Sequence, residues 1–265
     1  MPGGGFVRTG HRGARGLAPE NTMASFTRAV QEGVDALEFD VHMTADEEIV
    51  VCHDPTVDRT TGGVGRIADM TLAELRALDA GYRFQAAGTE GFPQRAQGVQ
   101  IPLLREVLEA FPEHLFTVEL KESPHPGFVA AVLKLCEALA PGRVQYGCFP
   151  HAQLSELRRL APQVPTGCSH REIRIFYALN LFRLTRLFPS ASRVLQVPRF
   201  SDFETDSGLK VVTPRFVRAA HKSGRSVQVW TINDPELMTE LLDWGVDGIT
   251  TDRPDVLNEV LRRRG

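Results

Sequence analysis

Short runs rich in β-branched and apolar residues alternate with amphipathic helical patterns along most of the chain. Strand-type runs fall at 6–11, 35–42, 115–121, 144–149, 165–169, 194–198, 227–232 and 248–251. Helical patterns follow them at 21–32, 102–111, 127–140, 152–160, within 171–188, and at 214–223, 235–244 and 254–263. Strands that alternate with helices form parallel sheet, and eight such units predict an α/β fold closed as a (β/α)8 (TIM) barrel rather than an open doubly wound sheet. The 265 residues suit one domain of this kind, 1–265.

One run breaks the alternation. Residues 48–53 follow the second strand after the short polar turn 44–47, too short for a parallel crossover, so the run must return antiparallel as a hairpin. The stretch 54–100 is rich in Gly and Thr and carries one short helical pattern near 72–78. Long irregular stretches inside compact domains usually carry function, so 44–100 is predicted to be an insertion, a hairpin plus small subdomain, over one mouth of the barrel.

The C-terminal ends of barrel strands are where catalytic side chains collect. His11-Arg12-Gly13 closes the first strand. Glu38 and Asp40 lie two apart on the second, hence on one face, and Glu119 and Lys121 repeat that spacing on the third. Closing the hairpin symmetrically about Ala45 and Asp46 sets His53 across from Glu38. Three carboxylates crowded together repel unless a cation neutralises them, and all-oxygen ligation suits Mg²⁺, Ca²⁺ or Mn²⁺ better than zinc. An inward arginine and lysine beside such a cation receive an anion, for which phosphate fits both the fork and the point charge. Two histidines titrating near neutrality can serve as base and acid across a phosphorus centre. The plainer alternatives are surface carboxylates on a half-exposed strand and satisfied core histidines.

Composition narrows the field. A formal charge of −3 offers no bulk attraction for nucleic acid. Cys52, Cys136, Cys148 and Cys168 are widely spaced with no CxxC, which predicts buried, reduced thiols rather than zinc or disulfides. The first residues lack a signal-peptide core, and no apolar run reaches the length of a membrane span, so a cytoplasmic location is expected.

The same residues resemble the glycerophosphodiester phosphodiesterase family. The resemblance rests on His11-Arg12-Gly13, Pro19-Glu20-Asn21-Thr22, Glu38-Phe39-Asp40-Val41, His53-Asp54-Pro55 and Asp58-Arg59-Thr60-Thr61. It continues through Glu119-Leu120-Lys121, Trp230-Thr231-Ile232-Asn233 and the run from Gly245 to Pro254. It implies a barrel enzyme with one divalent cation held by Glu38, Asp40 and Glu119. It implies His11 and His53 as the acid–base pair, with Arg12 and Lys121 as phosphate ligands. The implied reaction is attack by the substrate's own neighbouring hydroxyl, then opening of a cyclic phosphate by water. Glu20 and Asn21 are candidates for supporting the ligands from behind, although Asn21 also suits a cap of the first helix. Trp230 could wall the substrate or belong to the core. His42 shares the face of Glu38 and Asp40 but lies toward the turn and is assigned to the hairpin. No role is assigned to His114, His125, His151, His170 or His221.

The segment 171–188, from Arg171 to Phe188, is the least ordinary part of the chain. Read as one helix, it places Arg171, Arg174, Arg183 and Arg186 on one half, and Ile173, Phe176, Tyr177, Leu181, Leu184 and Leu187 on the other. Ile175, Leu179 and Phe182 then fall among the arginines, a mixture that suits an anionic membrane surface, with a homodimer interface as the rival. The expected substrate is a small phosphodiester, with a lysophospholipid as the alternative and a non-catalytic phosphate-binding barrel as a third reading.

Overall fold

The computed structural model describes residues 5–86, 88, 90–147, 150–202 and 207–264. Its elements in chain order are β1 (Val7–Gly10), α1 (Met23–Gln31), β2 (Ala36–Met43), β3 (Ile49–Val51), α2 (Leu72–Arg76), α3 (Leu104–Ala110), β4 (Leu115–Leu120), α4 (Phe128–Leu139), β5 (Val144–Gly147) and α5 (His151–Leu160). There follow α6 (His170–Leu181), β6 (Val194–Pro198), β7 (Phe200–Asp202), β8 (Ser207–Lys210), α7 (Pro214–Lys222), β9 (Ser226–Trp230), α8 (Pro235–Asp243), β10 (Gly248–Thr251) and α9 (Pro254–Arg264). Several helices start where a side-chain oxygen accepts an otherwise orphaned backbone N–H: Thr22 from Ser25, Ser169 from Glu172, Thr213 from Phe216 and Asp234 from Leu237. Pro214 and Pro235, just inside two of those starts, already hold the φ a helix needs.

The parallel strands run side by side in the order β5-β4-β2-β1-β10-β9-β6, and β3 adds antiparallel to β2. The sheet curls. Gln145 of β5 donates to Gln228 of β9 at 3.2 Å, and Gln196 of β6 donates to the same oxygen at 3.3 Å, so strands far apart in the order meet across the interior. Between β5 and β6, at the eighth position, runs the segment 165–169. It forms a single parallel bridge, Thr166 to Tyr146, rather than the ladder its sequence predicts, and Ser192 Oγ donates to the Thr166 carbonyl at 2.9 Å. The result is a (β/α)8 arrangement with one weakly paired stave. Residues 148 and 149, expected to finish the fourth strand, lie outside the described residues.

Alternation along the strands sorts side chains. On β2, Leu37, Phe39 and Val41 point outward into an apolar layer with Phe26 of α1 and Phe116 of β4, while Glu38 and Asp40 point into the barrel. A second apolar cluster, around Phe176, Val197, Phe216, Val229 and Ile249, serves the other half of the barrel. A third, small cluster joins Val50, Val57, Ile67, Leu75 and Ile101, within and beside the segment that interrupts the alternation.

Three expectations need correction, and one hairpin was unforeseen. The hairpin pairs Val41 with Val51, His42 with Val50 and Met43 with Ile49, one residue away from closure about Ala45 and Asp46. The loop has three residues, with Glu47 in the left-handed region at φ 62°, so Glu38 and His53 are not cross-strand partners. The segment 171–188 is not one helix. It stops at Leu181, Arg183 turns left-handed at φ 61°, and Leu184 N donates back to Leu179 O at 2.8 Å, closing a Schellman turn before a short 3-10 turn at Thr185–Leu187. Ile173, Phe176 and Tyr177 pack inward as expected, but Ile175 and Leu179 are half-buried beside them, whereas Leu181, Leu184 and Leu187 are exposed along with Phe182. The cap of α1 is Thr22, not Asn21, and the β7–β8 hairpin was not anticipated.

Candidate metal and catalytic site

The site is assembled by the C-terminal ends of β1, β2 and β4 together with the loops beyond them. Asp40 and Glu119 are register partners on adjacent parallel strands, and Glu38 sits two residues before Asp40. Ligand-capable oxygens of Glu38, Asp40 and Glu119 all lie within 4.8 Å of one another. Burial and mutual repulsion push the Glu38 carboxyl well above its ordinary range, and the same causes lift Glu119 to about 7. Burial would raise Asp40 too, but the charges of Lys121 and Arg12 outweigh it and hold this carboxyl low. Lys121 Nζ lies 2.8 Å from Asp40 Oδ1 and is also bonded to Glu119.

Arg12 and Asn21 enter through strained backbone. Both are left-handed, at φ 49° and 56°, a conformation that costs a non-glycine residue and is kept where surroundings enforce it. Arg12 N donates to Glu38 Oε2 at 2.9 Å, and the Arg12 carbonyl accepts from Asn21 N at 3.0 Å and from Ser25 Oγ at 2.8 Å. Gly13, at φ 83°, packs so tightly on Ser25 that a Cβ would fall 2.5 Å from its Oγ. This turn aims the Arg12 guanidinium at Asp40, 3.6 Å from Nε to Oδ2, and at Glu20, 2.8 Å from Nη1 to Oε1. Asn21 Nδ2 donates to Asp40 Oδ2 at 3.0 Å, and its Oδ1 is buried without a partner among the described residues.

Each imidazole is anchored through Nδ1. His11 Nδ1 meets Asp252 Oδ1 at 2.6 Å, which leaves its Nε2 4.0 Å from Glu38 Oε2. Asp252 in turn accepts from Asn233 Nδ2 at 2.9 Å and, although burial opposes it, the bond from His11 holds its carboxyl low. His53 Nδ1 meets Asp54 Oδ1 at 2.6 Å. His53 lies past the end of the β2–β3 ladder, where its carbonyl accepts from His42 Nε2 at 3.2 Å. Burial lowers the His53 imidazole, against the charge of Asp40, which places it within the electrostatic reach of the triad.

Glu20 ties the two halves of the site together. Its carboxylate takes Arg12, Arg15 at 3.2 Å and both terminal nitrogens of Arg59 at 2.7 and 2.8 Å, while Arg59 Nε donates to Asp54 Oδ2 at 2.6 Å. Burial works against it, but the bond from Arg59 and the charge of Arg12 hold Glu20 at about 2. Asp54, Arg59, Asn233 and Asp252 received no role from sequence. Their signal was present, since all four lie inside the motif runs, but nothing in their spacing says which atom each one meets. Trp230 ends β9 at the same end of the sheet, half-buried and separated from β2 by β10 and β1. His42 is buried in the hairpin, as assigned.

The donor set can take a hard cation. Three ionised carboxylates with Arg12 and Lys121 leave one net negative charge, and a divalent ion would turn this to one positive, which matches a phosphodiester monoanion. Burial does most to lift Glu38 and Glu119, and the mutual repulsion that adds to it is what such an ion would relieve.

Residues 11–256 match the model of the glycerophosphoryl diester phosphodiesterase family. A glycerophosphodiester phosphodiesterase of Bacillus subtilis (strain 168) is 32% identical over 96% of this chain and 86% of its own length. A lysophospholipase D of Rattus norvegicus is 28% identical over 95% of this chain and 84% of its own. Among solved structures, an Oleispira antarctica phosphodiesterase in complex with the product sn-glycerol-3-phosphate superposes with a TM-score of 0.77 at 26% identity, covering 97% of this chain and 96% of that one.

Proposed function

The chain belongs to the glycerophosphoryl diester phosphodiesterase family, and on that premise we propose that it hydrolyses glycerophosphodiesters to an alcohol and glycerol 3-phosphate. The observation that carries the reading is a carboxylate triad within 4.8 Å together with two imidazoles, each held at Nδ1 by a carboxylate 2.6 Å away. Glu38, Asp40 and Glu119 would hold one divalent cation, Mg²⁺, Ca²⁺ or Mn²⁺. Bound there, it supplies Lewis-acid stabilisation of charge on the phosphoryl oxygens.

The protein's own groups do the rest. Arg12 and Lys121 orient the phosphate and offset its charge. Asp252 and Asp54 fix the imidazole tautomers so that Nε2 of His11 and of His53 handle protons. One histidine takes the proton from the substrate's hydroxyl beside the phosphate as that oxygen bonds to phosphorus. The other gives a proton to the departing alcohol oxygen, leaving a cyclic phosphate. Water then opens the ring with the two roles reversed, and both histidines return to their starting states. Glu20 and Asn21 hold Arg12 and Asp40 in place, and Trp230 walls the substrate. The chain acts as a single catalytic domain, 1–265, with 44–100 over the mouth.

A second reading uses the same chemistry on lysophospholipids. It is favoured by the exposed apolar group at Leu181, Phe182, Leu184 and Leu187, and among the described residues no helix is long and apolar enough to cross a membrane. The test is a panel of glycerophosphodiesters and lysophospholipids assayed with each cation and with excess chelator. Turnover lost on chelation and restored by a divalent ion is expected, and full activity in chelator refutes the cation's role. Hydrolysis of the short diesters alone rejects the second reading.

A further inference from the structure

We propose that the end of α6 and the turn after it form a docking surface for an anionic phospholipid bilayer. Four large apolar side chains are exposed there: Leu181 at 55%, Phe182 at 74%, Leu184 at 47% and Leu187 at 68%. A soluble surface rarely gathers that many in one short segment, and such a patch normally meets something. They are interleaved with Arg183 and Arg186, and α6 adds Arg171 and Arg174, all four exposed.

Charge selects the occupant. From 170 to 193 the sole acidic residue is Glu172, which is buried and bonded to Arg158 at 2.7 Å. A second copy of the chain would bring the same arginines against each other in a two-fold contact, with no carboxylate on the patch to receive them. An anionic leaflet supplies the opposite charge for the guanidinium groups and an apolar layer for the leucines and Phe182. The backbone of the turn suits insertion. The Schellman closure satisfies the carbonyls at the helix end internally, and Arg215 bonds the Asn180 and Leu181 carbonyls at 2.6 and 3.0 Å, so exposed side chains can enter lipid without bare backbone following.

The patch also begins beside the working end of the barrel. Arg215 is the second residue of α7, and a barrel helix starts at the end of the molecule where the strands finish. Leu181 therefore lies beside the start of α7, and the turn after it runs along that helix, with Thr185 Oγ1 bonded to the Ala219 carbonyl at 3.4 Å.

Co-sedimentation of the full chain with phosphatidylcholine vesicles, with and without phosphatidylglycerol, tests this without any turnover, so it stands or fails apart from the reaction. The wild-type chain should partition onto the anionic vesicles and release as salt rises. Arg183→Gln with Arg186→Gln should weaken partitioning by roughly 25-fold, about fivefold for each arginine. Phe182→Ser with Leu187→Ser should abolish it, and both double variants should keep wild-type circular dichroism and wild-type hydrolysis of a short, water-soluble diester. Binding that ignores phosphatidylglycerol, or that survives both double variants, overturns the proposal. So does a wild-type dimer in light scattering that Phe182→Ser with Leu187→Ser turns into a monomer, because the patch would then be an interface between copies.

Discussion

Replacing Asp252 by asparagine changes one oxygen to a nitrogen at a half-buried carboxylate and asks whether His11 depends on it. Asp252 Oδ1 lies 2.6 Å from His11 Nδ1, and its other oxygen accepts from Asn233 Nδ2 at 2.9 Å. Asn233 is itself fixed, because its Oδ1 accepts from Asp252 N at 2.9 Å and from Thr251 Oγ1 at 3.0 Å. The new amide must therefore present its oxygen to Asn233, which turns its NH₂ toward His11. Nδ1 then becomes an acceptor and the proton moves to Nε2. The neutral ring can no longer take a proton at Nε2, and the ionised carboxylate that steadied the imidazolium is gone. Since the two half-reactions need His11 in both states, the loss should approach that of a missing general acid–base group, about 10²–10⁴-fold in kcat. The change is nearly isosteric and the three carboxylates proposed to hold the cation are untouched, so KM, cation affinity and Tm should stay close to wild type. Steady-state assay of glycerol 3-phosphate release from a glycerophosphodiester, with cation titration and a thermal melt on the same variant, reads all of these. A kcat within threefold of wild type, or a loss traced wholly to weaker cation binding, refutes the tautomer argument.

Other outcomes follow from the same geometry. Because burial, with repulsion added, holds Glu119 at about 7 and raises Glu38 as well, protons should compete with the cation at low pH. Affinity should rise with pH, steepening toward about tenfold per unit below pH 7 from Glu119 alone, and binding should release protons; calorimetry in buffers of different ionisation enthalpy measures both, and a flat profile with no proton release contradicts the triad. Arg59→Ala frees Asp54 and removes two bonds from Glu20, so kcat should fall by about tenfold. Arg59 is 44% exposed, so stability should change by no more than about 1 kcal/mol, and a large loss of Tm with unchanged kcat would make its role structural. Phe26 is fully buried with its ring 5.5 Å from that of Phe39, and Phe26→Ala should cost about 3–5 kcal/mol in a urea melt; under 1 kcal/mol would mean that this layer collapses around the gap.

Much of the fold was legible because the barrel repeats a simple alternation, and because two-residue spacing on a strand fixes a face. Glu38 with Asp40, and Glu119 with Lys121, could be placed together for that reason alone. What was not legible traces to backbone that residue type does not announce. Glu47 and Arg183 both adopt left-handed φ, at 62° and 61°, where a glycine would have signalled a turn. The first hides the three-residue loop that shifts the hairpin register by one, and the second hides the stop that ends α6 at Leu181. The left-handed Asn21 likewise leaves capping to Thr22 and reaches Asp40 instead. The pairings of His11 with Asp252 and His53 with Asp54 were hidden for a different reason. One spans 241 positions of the chain and closes only when β10 settles against β1; the other joins neighbours whose side chains meet only once Arg59 holds Asp54 in place.

Anomalous diffraction from crystals soaked in Mn²⁺ tests the central claim most directly. One peak is predicted at the ends of β2 and β4, roughly 2.0–2.6 Å from an oxygen of each of Glu38, Asp40 and Glu119. A peak elsewhere, or none while those carboxylates stay bonded only to Lys121, Arg12 and Asn21, would contradict it.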